Sequence, residues 1–243
     1  MRMEELTMEA FEAELRRTRT VIVPFGSVEE HGAHLPLGTD TLHVAELAAA
    51  AAKKRRALVA PPVWYGLCRS TRRHPGTLTL SFGTVRRLAV EIAGSLYAQG
   101  LRNFVLVSGH AGGTHMAALE DAGEEILSTL PESRVAVLSV LDLVAGLEDG
   151  LVETPGDSHA GEVETALMQH LRPALVHGTS PAEYPSFPRP LLVRDKRRYW
   201  PGGVWGDPSK ASPEKGRRIL EAEAEALAAV IERLEKTDPG SDL

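Results

Sequence analysis

The chain has one cysteine, Cys68, among 243 residues, one asparagine, Asn103, and only 5% aromatic residues. A single thiol excludes an internal disulfide framework and a cysteine-rich zinc module, and a reducing cytosol suits such a chain. No stretch reaches the roughly 18 apolar residues that a membrane span needs. The opening Met1-Arg2-Met3-Glu4-Glu5 is too acidic and polar for a signal peptide. A net charge of -6 gives a nucleic-acid groove little footing. There is no G-x-S-x-G motif and Cys68 has no convincing partner, so a serine or cysteine nucleophile is not indicated. What remains is a cytoplasmic protein with no nucleic-acid and no membrane partner.

What is present is periodic. A helix is predicted over 7–17, a strand over 20–25, an Ala-rich helix over 42–54 and a strand over 57–63. A short strand over 77–80 follows, then a helix over 84–99 stopped by Gly100. Phe104-Val105-Leu106-Val107 reads as a central parallel strand, because parallel strands are buried on both faces. A helix to about 130, a strand over 134–141, a helix over 160–171 and a last helix over 213–234 complete the pattern. Residues 176–212 are rich in Pro, Gly and aromatics and read as a long excursion over the surface or a neighbouring subunit. Strands alternating with helices predict one α/β domain over 1–243, a three-layer sandwich around a mostly parallel sheet.

Three clusters of histidine and carboxylate each follow a predicted strand. The first is Glu29-Glu30-His31-Gly32-Ala33-His34-Leu35-Pro36-Leu37-Gly38-Thr39-Asp40. Glu29 and His31 share one side of an extended segment while Glu30 points away. Each of the two can hold one of two adjacent ions, with Asp40 arriving from the end of the loop to bridge them. Glu30 and His34 read as supporting or solvated groups. The second cluster places His110 between glycines, where backbone can approach a ligand closely. A glycine loop opening a helix also binds anions, so a metal-free nucleotide or small-molecule binder built on residues 109–113 stays open. So does a scaffold with structural zinc. In the third cluster, His159 sits at the start of a predicted helix and Glu162, three residues on, shares its face. Glu164 points elsewhere.

Glu29, His31, Asp40, His110 and Glu162 together give three carboxylates and two imidazoles. That inventory suits two divalent ions of Zn, Mn or Fe. His159, not needed as a ligand, is then free to carry a proton to a leaving nitrogen. Hydrolysis of an amide-type C–N bond is the expected chemistry.

Pro24-Phe25-Gly26-Ser27-Val28-Glu29-Glu30-His31-Gly32 with His34-Leu35-Pro36-Leu37 and Asp40 resembles the first metal motif of the creatininase (creatinine amidohydrolase) family. Ser108-Gly109-His110-Ala111-Gly112-Gly113 is similar to its second motif, and His159-Ala160-Gly161-Glu162-Val163-Glu164-Thr165 to its third. The resemblance runs from about 20 to 216. It implies a three-layer α/β sandwich, a homo-oligomer (a hexamer among the options), a two-metal site, and hydrolysis of cyclic amides or formamides. It carries over Glu29, His31, Asp40 and His110 as ligands and His159 as the proton-transfer residue. Creatininase proper takes a further ligand from a Glu two residues after the second-motif His. Here that position is Gly112, and Glu162 is the expected substitute. A small amide or formamide is the implied substrate, with creatinine itself as the alternative. Arg69, Arg72 and Arg73, ahead of Pro75, would suit an anionic one.

Overall fold

The computed structural model describes residues 1–144 and 150–238. Its frame is a four-stranded parallel sheet in the order β2-β1-β3-β4. The strands are β1 (Thr20–Phe25), β2 (Leu58–Val59), β3 (Asn103–Ser108) and β4 (Arg134–Ser139). All six residues of β1 and all six of β3 are buried, as their unbroken apolar runs require. β2 is shorter than the predicted 57–63. Pro61 and Pro62 have no N–H to donate, and pairing resumes only at Val63, whose amide donates to the Pro24 carbonyl at 2.9 Å. The strand predicted over 77–80 is a single bridge between Val28 and Leu78, because the neighbouring Leu80 amide pairs with the Gly66 carbonyl instead.

Among the described residues seven helices cover the sheet: α1 (Met8–Leu15), α2 (Thr39–Lys54), α3 (Phe82–Ala98), α4 (Gly113–Thr129), α5 (Val140–Val144), α6 (Glu162–Leu171) and α7 (Pro213–Lys236). Strand residues of alternating parity feed the two faces. Val21, Val23, Phe25, Phe104 and Leu106 pack against α3 and α4. Ile22, Val105, Val107 and Leu138 pack against α2 and α7. A further apolar cluster joins Leu35, α6 and Ile219 of α7. The architecture is therefore the three-layer α/β sandwich. The loop after β4 runs in part through 145–149, outside the described residues. No helix among the described residues is long and apolar enough to cross a membrane.

The chain leaves β1 for β2 on one side, and β3 then lies on the other side of β1. The carboxyl ends of β1 and β3 thus flank the point where strand order reverses, the position at which open α/β sheets bind ligands.

Candidate metal centre

The loop after β1 carries Glu29 and His31 to this point, and the first turn of α2 carries Asp40. The loop after β3 carries His110. All four are buried. His31 Nδ1 donates to the Glu29 carbonyl at 3.0 Å, because a carbonyl can only accept. This fixes the ring and leaves Nε2 facing Asp40 Oδ1 at 3.0 Å and Glu164 Oε2 at 3.5 Å. His110 is fixed in the same way, with Nε2 donating to the Leu67 carbonyl at 3.2 Å. Its Nδ1 faces Glu29 Oε2 at 2.8 Å and Asp40 Oδ2 at 3.3 Å. Asp40 therefore offers one oxygen to each imidazole. Ser27 Oγ donates to Asp40 Oδ2 at 2.6 Å, and Thr71 Oγ1 holds the other oxygen of Glu29.

The charges follow from this packing. Burial alone would lower the affinity of His31 for a proton, but the adjoining Asp40 and Glu164 outweigh it and raise its pKa well above the usual 6.5. Burial is likewise outweighed at His110 by Glu29 and Asp40. In return, His110 holds the Glu29 carboxyl down at about 2 against the upward push of burial. Without a metal, the site balances carboxylates with imidazolium protons, so a cation and those protons compete for the same atoms. Two sets of side chains each hold their potential donor atoms within 4.8 Å of one another: Glu29, Cys68 and His110 form one set, and His31, His159 and Glu164 the other. Neutral imidazole nitrogen with carboxylate oxygen is the donor set of Zn and Mn sites, and the buried residues fit such ions.

Glu162 is not among these residues. Its Oε1 pairs with Lys215 Nζ at 2.6 Å, and its Oε2 accepts from the amides of Glu153 (3.0 Å) and Thr154 (2.8 Å). Every lone pair that matters is spent tying α6 to α7 and to the loop before it. The expectation that Glu162 joins the cluster is corrected: Glu164 does so. The cause is the start of α6. Ala160 takes a φ of 48°, and Asp157 accepts from the amides of Glu162 and Val163, so the helix begins two residues later than predicted. At about 100° per residue that shift turns the wheel by about 200° and exchanges the two carboxylates. Gly112 has no side chain to offer as a ligand, and a Cβ added there would stand 2.5 Å from His110 Nε2.

His159 stacks on His31 with ring centroids 4.2 Å apart, and its Nε2 donates to the Glu30 carbonyl at 2.8 Å. Burial and the charge of His31 lower its pKa, but Glu30, Glu29 and Glu164 raise it above the usual value. His34 lies outside the cluster, between Ser180 and Thr165, and burial takes it down to about 4. His115 accepts from the Leu67 amide at 3.2 Å, and its ring meets that of His110 edge-on with centroids 5.1 Å apart. The segment 176–212 closes over the site. Trp205 bridges to His159, and the Trp200 ring meets His159 edge-on at 5.1 Å. The cavity left between these walls is about 160 Å³. Its lining includes Glu29, Asp40, His110, His159, Glu164 and Arg69. Sequence reasoning gave Ser27 and Thr71 no role, left Cys68 without a partner and turned Glu164 away from the site. Asp157 followed by Gly161 was the available signal for the last, as an acceptor ahead of a helix that starts late.

The chain matches the family model described as Creatininase: Creatinine amidohydrolase over residues 4–231. It is similar to a mycofactocin precursor peptide peptidase of Mycobacterium ulcerans (strain Agy99), 30% identical over 92% of this chain and 87% of that one. It is also similar to a creatinine amidohydrolase of Pseudomonas putida, 28% identical over 93% of this chain and 94% of that one. A third relative is a 3-dehydro-scyllo-inosose hydrolase of Thermotoga maritima, 26% identical over 99% and 85%. Among solved structures, the manganese form of creatininase superposes with a TM-score of 0.86 at 26% identity, covering 96% of this chain and 98% of that one. A mutant creatininase of Zn-Zn type superposes with a TM-score of 0.86 at 27% identity and the same coverage.

Proposed function

The chain belongs to the creatininase family and is a metal-dependent hydrolase of carbon–nitrogen bonds; from that premise we propose that it holds two divalent ions and cleaves a small amide, cyclic amide or formamide. The observation that carries this reading is Asp40, whose two oxygens face His31 Nε2 and His110 Nδ1 separately. Glu29, Asp40 and His110 would hold one ion. His31, Asp40 and Glu164 would hold the other, with Glu164 in the role expected of Glu162. When bound, such a pair acidifies a water molecule and polarises a substrate carbonyl.

The chain's own residues do the rest. Ser27 and Thr71 orient Asp40 and Glu29 by donating to them. Trp200, Trp205 and the glycine loop wall the cavity and limit water. His159 lines the same cavity and is a proton carrier to the leaving nitrogen, its raised pKa keeping the proton available near neutrality. A cavity of about 160 Å³ suits a small molecule, or the end of a longer one, below the usual range of drug-sized sites. We place this activity in the cytoplasm and in one domain of 243 residues. An assembly of several copies, up to a hexamer, is supported by Leu191 and Leu192 in the covering segment, which are 71% and 101% exposed.

Chelation followed by metal return tests the reading. Chelated protein should lose turnover of a creatinine, formamide and dipeptide-amide panel and regain it with about two equivalents of Zn or Mn per chain. Glu164→Gln should keep about one equivalent and lose turnover. Glu162→Gln should keep both and melt lower. Full turnover after chelation, or equal metal content in the two variants, contradicts it.

A further inference from the structure

Basic side chains elsewhere in the structure mostly face a carboxylate: Arg2 faces Glu46, Arg56 faces Glu14, Arg86 faces Asp121 and Arg217 faces Glu214. At the mouth of the cavity the pattern inverts. Residues 69–73 hold three arginines and no acid, and residues 189–198 hold four arginines and a lysine against one acid, Asp195. Asp195 faces Arg198 at 3.9 Å, which leaves Arg69, Arg72 and Arg189 with no ion pair among the described residues. The two segments meet where Lys196 Nζ donates to Ser70 Oγ at 2.9 Å. Arg69 and Ser70 line the same cavity as Glu29, Asp40 and Glu164.

Gathering like charges costs free energy, and it is conspicuous in a chain whose net charge is -6. Lys196 registers that cost, since its ammonium is pushed down by burial and then by the charges of Arg189, Arg69 and Arg72. The first turn of α4 adds to the same field. Gly112, Gly113 and Thr114 line the cavity, and no side chain caps this helix end.

We propose that Arg69 and Lys196, with Arg72 and Arg189 around them, bind an oxyanion of the substrate, so that this hydrolase takes amides bearing a carboxylate or phosphate group. Carboxylate and phosphate share the chemistry that a guanidinium fork recognises. The anion sits at the mouth and the scissile bond reaches the floor, which fixes one direction of entry. This inference rests on the two-metal hydrolase reading and names its substrate class.

Three non-hydrolysable ketones test it on the zinc-loaded full chain: levulinate, 2-oxopropylphosphonate and the uncharged hexane-2,5-dione. Binding is followed by tryptophan fluorescence, Trp200 and Trp205 being in the cavity wall. At least one anion should bind about tenfold or more tighter than the dione, with affinity falling as salt is added. The tighter of the two anions identifies carboxylate or phosphate. The double variant Arg69→Gln with Lys196→Gln should weaken the anions about fivefold or more and leave the dione and the zinc content unchanged. Equal binding of all three ketones overturns the proposal, and so does an anion preference that survives the double variant. Zinc content of the same samples separates the two readings. Zinc-loaded samples without the preference overturn this inference alone. Samples that take up no zinc overturn the two-metal reading, whatever their anion preference.

Discussion

His31 and His110 each carry a proton in the metal-free site, held there by Asp40, Glu164 and Glu29 against the opposing effect of burial. A raised pKa in the folded state means that this contribution to stability is complete below about 6.5 and is lost as pH rises through the raised value. A divalent ion needs the same nitrogens unprotonated, so loading must expel those protons. Calorimetry at pH 7 in buffers of different ionisation enthalpy should record about two protons released per chain for two ions. Zinc affinity should rise between pH 6 and 8. Affinity that is flat with pH, with no proton release, contradicts this charge state. Residue identities at the site were legible from the first cluster, because Glu29, His31 and Asp40 are fixed by spacing along a short loop. Ser27 and Thr71 were not, since a hydroxyl that orients a carboxylate looks like any other loop hydroxyl until its partner is in place.

Elements decide which of two carboxylates faces the site. α6 and α7 cross so closely at Gly216 that a Cβ there would come within 2.0 Å of the Ala166 carbonyl oxygen. The same contact keeps Lys215 over Glu162 and, through the helix, holds Glu164 toward His31. Gly94, in α3, has open space where a Cβ would stand, with nothing within 4 Å, and serves as the control. Gly94→Ala should stabilise by about 0.5–1 kcal/mol, as alanine does in an open helix. Gly216→Ala should destabilise by about 1–3 kcal/mol in chemical denaturation. Stabilisation by both substitutions would show that the two helices are free to separate. The continuous apolar runs made β1 and β3 readable. Periodicity gave α6 its identity but not its first residue, because the cap is an Asp-to-backbone contact across a left-handed Ala160.

At the scale of the molecule, the site exists because β1 and β3 are neighbours, which brings clusters about eighty residues apart in sequence to one end of the sheet. Strand order is a tertiary fact that no local pattern states, so the convergence was expected from the fold type and from family likeness. The covering segment was legible only as irregular. Its pairing through Trp205 to His159, and through the Trp200 carbonyl to His74, depends on contacts with side chains far away along the chain. Crystals of the zinc-loaded protein measured on both sides of the zinc absorption edge give the most direct test. Two anomalous peaks per chain are expected on either side of Asp40, one beside Glu29 and His110 and the other beside His31 and Glu164. A single peak, or a peak at Glu162 in place of Glu164, would contradict the two-ion centre.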